Sequence, residues 1–199
     1  MNVAWSLQTA PTVEPLTTDE AKLQLRITDT TDDTAIARRI KAARAQAEQY
    51  LMRGLITQTW KYAQDAFSDE MLLPMAAPLA SVTSVKYYDA SGVQQTLATT
   101  YYLVDTLSEV GRVCLAPLQS WPSVQADRPL AVEIIYVLGY ATAALVPPDI
   151  VDAVCLFLGD RQEYRQQTLL GGGLTSLPNG AEALLAPHRR WWRPPMERC

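Results

Sequence analysis

Apolar positions recur along this chain with two periods, and the change from one to the other divides it. In "LTTDEAKLQLRI" Thr17 can cap a helix, Glu20 stands three residues on to complete a capping box, and Leu16 occupies the staple position. A short helix is expected over about residues 18–26. After the polar break "TDTTDD", Ile36, Ile40, Ala43, Ala47, Tyr50 and Leu51 return at helical spacing until Arg53-Gly54. This predicts a long amphipathic helix, and its other side carries Arg38, Arg39, Lys41 and Arg44. Such a basic strip is read first as a solvated face and second as a surface for a partner.

From Leu55 the period becomes two: Ile56, Gln58, Trp60 and Tyr62 alternate with Thr57, Thr59 and Lys61, as in a half-buried strand. "SVTSVKYYDASGVQQTL" predicts two strands around a turn in which Gly92 accepts positive φ, and "TYYLVD", "GRVCLAP" and "LAVEIIYVLGY" predict three more. Prolines 74, 78, 117, 122 and 129 fall between these runs. Pro147-Pro148-Asp149 opens a third helix, expected to reach about Gln167, with Ile150, Val151, Val154, Phe157, Leu158 and Tyr164 on its apolar stripe. The fold class that follows is α+β: a helical bundle body of three main helices, an inserted antiparallel β-sheet or small barrel, and an extended C-terminal arm. The expected boundaries are 1–54 plus 146–170 for the body, 55–145 for the β domain and 171–199 for the arm.

The arm begins with Gly171, Gly172 and Gly173. This triplet follows a helix, not a strand, and lacks the lysine of a phosphate-binding loop, so it reads as the hinge from which the chain departs. Leu177, Ala181, Leu184 and Leu185 could bury one side of a short helical turn. Helices shorter than about 12 residues are marginal alone in water, so this one must order against its own body or a partner. "HRRWWRPP" then brings together His188, Arg189, Arg190, Trp191 and Trp192, residue types that dominate protein interfaces and that also stack on bases and pair with phosphates.

Composition narrows the choice. With 48% apolar and 19% charged residues over 199, the chain can bury a core, and a net charge of −4 argues against a surface that grips nucleic acid everywhere. Cys114, Cys155 and Cys199 are scattered and odd in number, which indicates neither a disulfide framework nor zinc and fits a reducing compartment. The N-terminus lacks a signal-peptide pattern and no apolar run has the roughly 20 residues of a membrane span, so a cytoplasmic protein without membrane contact is expected. The single histidine, His188, lies in the tail, and Asp32-Asp33 stand where helix caps belong. No catalytic constellation emerges. The expectation is a non-enzyme without cofactor or metal.

The assembled order of these segments resembles the head-tail connector, or adaptor, proteins of long-tailed bacteriophages and gene transfer agents. "DDTAIARRIKAARAQAEQYLMRGLITQTW" is similar to the family's helix and the strand entered after it. "PLASVTSVKYYDASGVQQTL" resembles its hairpin, "VPPDIVDAVCLFLGDRQEYRQ" its next helix, and "LPNGAEALLAPHRRWW" its ending. The likeness runs from about Leu16 to Trp192. His188 departs from it, standing where an aromatic is commoner, and the residues after Trp192 match no part of the pattern.

The resemblance implies a virion structural protein of the particle neck, assembled in the bacterial cytoplasm. It would form a homo-oligomeric ring, commonly of twelve copies, below the portal protein. The ring would extend the DNA channel, pass double-stranded DNA without sequence specificity, and receive a stopper or tail-completion protein. The arm would then bind the portal or a neighbouring copy through Leu177, Leu184, Leu185, His188, Arg189, Arg190, Trp191 and Trp192. The alternative is a DNA-binding module built on the same Arg/Trp cluster.

Overall fold

In the computed structural model, residues 2–108, 110–163 and 179–190 are described. The element order is β1 (Val3–Thr9), α1 (Thr18–Leu25), α2 (Asp33–Leu51), β2 (Gln58–Gln64), β3 (Glu70–Leu72), β4 (Leu79–Tyr88), β5 (Gln94–Thr96), β6 (Tyr102–Asp105), β7 (Arg112–Leu115), β8 (Val132–Leu138), α3 (Pro148–Glu163) and α4 (Asn179–Leu185).

The helices begin where the sequence predicts them, and the expected last turn of α3, with Tyr164 and Gln167, lies outside the described residues. Thr17 and Glu20 make the full capping box: the Glu20 amide donates to Thr17 Oγ1 at 3.2 Å, and the Thr17 amide donates to Glu20 Oε2 at 2.9 Å. Ile36, Ile40, Ala43, Ala47 and Leu51 of α2 are buried with Ala21 of α1 and with Ile150, Ala153, Val154, Phe157 and Leu158 of α3 in one core. The start of α2 differs from expectation. Asp32 holds the N-cap position without a capping hydrogen bond from its side chain, and Asp33 instead pairs with Lys22 Nζ at 2.9 Å, tying α2 to α1.

The strands build two antiparallel sheets, one of order β1-β2-β8-β4-β5 and one of order β3-β7-β6. They share a second core, in which Tyr62, Val85, Ile134, Tyr136 and Leu138 from the large sheet meet Met71, Tyr102 and Val113 from the small one. The large sheet is a linear array with β1 and β5 at its edges, which decides between the sheet and the small barrel in favour of the sheet.

Residues 3–9 form β1, which pairs antiparallel with β2 at the edge of the large sheet. The bundle also contains α4, whose Ala181 and Leu185 lie within the helical core.

Helical body and sheets meet at a narrow polar joint. The helix α2 ends with Met52 in the left-handed region (φ 53°), and the chain then runs beside Tyr140 as it leaves β8, with Ile56 and Tyr140 bridged in parallel. Gly139 makes that approach possible. Its φ is +94°, and a Cβ there would sit 2.4 Å from the Ile56 carbonyl oxygen. Buried Glu48 accepts hydrogen bonds from the Leu55 amide (2.9 Å) and Gln58 Nε2 (2.7 Å) and pairs with Arg44 Nη1 at 2.5 Å. Burial pushes its carboxyl above the ordinary range, against the pull of Arg44 and these hydrogen bonds. Arg53, 6% exposed, donates to the Ala77 carbonyl at 2.9 Å and to the Tyr140 hydroxyl at 3.0 Å.

Candidate functional site

The Arg-rich ending of the described chain is held by helices far away in sequence. Ala181 and Leu185, one turn apart on α4, are fully buried, and Leu184 packs half-buried against the same core. With seven residues α4 is too short to persist alone, so this apolar contact is what orders it. A 3-10 turn over Ala186–His188, with Pro187 in its first turn, then redirects the chain across the end of α2.

Three contacts fix the ending. His188 Nε2 lies 2.5 Å from Asp149 Oδ2, in the first turn of α3. That hydrogen bond is the main reason the Asp149 carboxyl is held below its ordinary value. The Arg189 guanidinium stands over the Tyr50 ring, 4.8 Å from its centroid. The Arg190 amide donates to the Leu51 carbonyl at 2.8 Å, satisfying one of the acceptors that the end of α2 leaves without a helical partner. Partial burial lowers the Arg190 pKa, and nearby Arg53 lowers it further.

Of the residues singled out by the sequence, the structure therefore brings Leu184, Leu185, His188, Arg189 and Arg190 together on one end of the helical body. Leu185 is enclosed by this chain's own core, whereas Leu184, His188, Arg189 and Arg190 stay partly exposed. Gly171, Gly172, Gly173, Leu177, Trp191 and Trp192 lie outside the described residues. Sequence reading did not find Tyr50, Leu51 and Asp149 as the receiving surface. Tyr50 and Leu51 read as core, Asp149 as a dipole-complementing acid, and nothing local connects them to a segment 39 residues beyond Asp149.

The basic strip of α2 divides. Arg44 is not solvated: its side chain is 11% exposed and pairs with Glu14 Oε2 at 2.7 Å as well as with Glu48. Arg38 and Lys41 are exposed, and Arg39 donates to Gln162 Oε1 of α3. Among the described residues no group of three or more His, Cys, Asp or Glu side chains could hold a metal ion, and no helix is long and apolar enough to cross a membrane. Burial raises the Cys114 and Cys155 thiols, the opposite of what an activated nucleophile needs.

Residues 16–90 match the family model described as "Phage gp6-like head-tail connector protein", in agreement with the resemblance read from the sequence. The fold is shared with a chain of the neck of an empty gene transfer agent particle computed with C6 symmetry: TM-score 0.78 and 24% identity over 96% of this chain and 97% of that one. A chain of the neck of a native particle computed with C12 symmetry gives 0.74 at the same identity and coverage. A chain of the native gene transfer agent virion gives 0.76 at 24% identity, over 95% of this chain and 96% of that one. No curated protein sequence matches the chain.

Proposed function

We propose that this protein is a non-enzymatic connector of a phage-like particle: a subunit of a ring, of twelve copies, that sits below the portal and joins the head to the tail components. The observation that carries the reading is the match of fold along 96% of the chain to a protein of a particle neck, joined to the connector family's pattern over residues 16–90. The ring extends the channel through which double-stranded DNA passes without sequence-specific contact, and its far side receives a stopper or tail-completion protein. Its place is the neck of the particle, assembled in the bacterial cytoplasm.

Within this reading the helical body, the β domain and the C-terminal segment divide the work. The segment carrying Leu184, His188, Arg189 and Arg190, continued by Trp191 and Trp192, is the part that meets the portal or the adjoining copy. The physics agrees with such a role, since aromatic and arginine side chains give interfaces most of their energy.

The test is removal of the chain from cells that make the particle, followed by electron microscopy. DNA-filled heads without tails, restored to tailed particles when the intact chain is supplied, are expected. Tailed, DNA-filled particles in normal number without the chain would refute the proposal.

A further inference from the structure

A protein of net charge −4 nevertheless gathers cations on one side of its helical body. The exposed positions of α2 are Thr34, Arg38, Lys41, Ala45 and Gln49, spaced as one stripe opposite the buried Ile36, Ile40, Ala43 and Ala47. Arg39 and Arg161 border this stripe. The hydrogen bonds they send between α2 and α3 go to neutral amides, Arg39 to Gln162 and Arg161 Nη2 to Gln46 Oε1 at 2.8 Å. These bonds hold the guanidinium groups in place without cancelling their charge.

The other side of the bundle is acidic. Asp19 and Glu20 are exposed in the first turn of α1, Asp152 is exposed on the side of α3 away from its buried stripe, and Glu182 is exposed on α4. Asp152 and Leu156, one turn apart, lie on the side of α3 opposite its buried residues. Of the cations on α1, Lys22 pairs with Asp33 and Arg26 is exposed at the C-cap. Leu156, 39% exposed, adds apolar area beside Asp152.

We infer that the Arg38–Lys41 stripe of one copy packs against the Asp152–Glu182 face of the next, as the contact that repeats around the ring. The inference rests on the ring reading and names the surfaces that close it. Its physical basis is that the two patches differ in sign and that α2 and α3 each turn these exposed residues away from the core they share. A two-fold pairing of either patch with itself would set like charges against each other, whereas a head-to-tail contact matches them at every subunit. Duplex DNA would satisfy the cations but leave the acidic face without a counterpart, and the chain's net charge opposes it.

The test uses two full-length variants in cells that lack the native copy and make the particle. One is Arg38→Glu/Lys41→Glu, with both faces now acidic, and the other is Asp152→Lys/Glu182→Lys, with both faces now basic. All four positions are exposed, and circular dichroism of the purified chains checks that the fold is kept. The native chain supplied alone must restore tails; if it does not, the ring reading itself fails. Given that it does, each variant alone is expected to cut the number of tailed particles by about tenfold or more. The two supplied together are expected to restore it, because alternating copies again present opposite charges. Normal tailing with either variant alone overturns the inference, and so does failure of the pair to rescue. Loss of low-salt binding to a short DNA duplex by the first variant, with tailing unchanged, would assign the stripe to DNA instead.

Discussion

Replacing Leu185 by alanine tests how the C-terminal segment is held. Leu185 is fully buried among residues of α2 and α3, and its neighbours on α4 contribute one further buried side chain, Ala181. Truncating a buried leucine costs about 2–5 kcal/mol, from lost transfer free energy and the cavity left behind. Here the loss does not spread evenly. The segment is tied on by few contacts, so the response of lowest free energy is its release from the body, with the α1–α2–α3 core retained. The amide of Arg190 reports on this directly because its proton is bound to the Leu51 carbonyl at 2.8 Å. If docking weakens by ~2–4 kcal/mol, exchange of that amide with deuterium should speed up by roughly 30- to 1000-fold. Amides in the middle of α2 should change little. Hydrogen exchange followed by mass spectrometry on peptides covering 181–190 and 36–47 makes both measurements. Unchanged protection in the segment would refute the argument, and so would equal loss in both peptides, which would mean that α4 opens only with the whole body.

Two further predictions address the joint between helices and sheets. Arg44→Leu removes the cation beside buried Glu48, so the variant should be destabilised, and more so as pH rises. A carboxyl whose folded pKa lies above the unfolded value of 4.5 contributes stability that is full below 4.5 and is lost as pH climbs through the raised folded value; losing Arg44 moves that value further up. Urea unfolding at pH 5 and pH 8 should show the larger deficit at pH 8, and an equal deficit would count against the assignment. Gly139→Ala combines φ +94° with a Cβ 2.4 Å from a backbone oxygen, so it should cost about 2 kcal/mol or more and lower the melting temperature; a melting temperature like that of the native chain would contradict the close approach.

How much of this was legible in the sequence depended on how local the cause was. The α1 cap lies within four residues and could be read in full, as could the buried stripe of α2. Alternation located β8 most directly, because it buries every second residue, whereas β2 and β4 were found from their residue types although their burial does not alternate regularly. The strand β1 has the same alternation in Val3, Trp5 and Leu7, but six of its seven residues are exposed and its partner, β2, begins about fifty residues later. The three-residue strand β3 is too short to show a period at all. In the ending, the leucine spacing announced a helix that needed support, but the identity of the support was set by tertiary packing. Arg44 shows the same limit: its position on α2 places it among solvated cations, and only the fold brings Glu14 to it.

The joint between the two cores has a mechanical meaning. Its fasteners are the bonds of Glu48 to Leu55 and Gln58 and of Arg53 to Ala77 and Tyr140. Apolar surfaces slide past one another at little cost, whereas hydrogen bonds weaken steeply when bent. A joint made this way sets an angle more than it adds strength. In a closed assembly of identical copies, an error in that angle would recur at every subunit and accumulate until the circle no longer met itself.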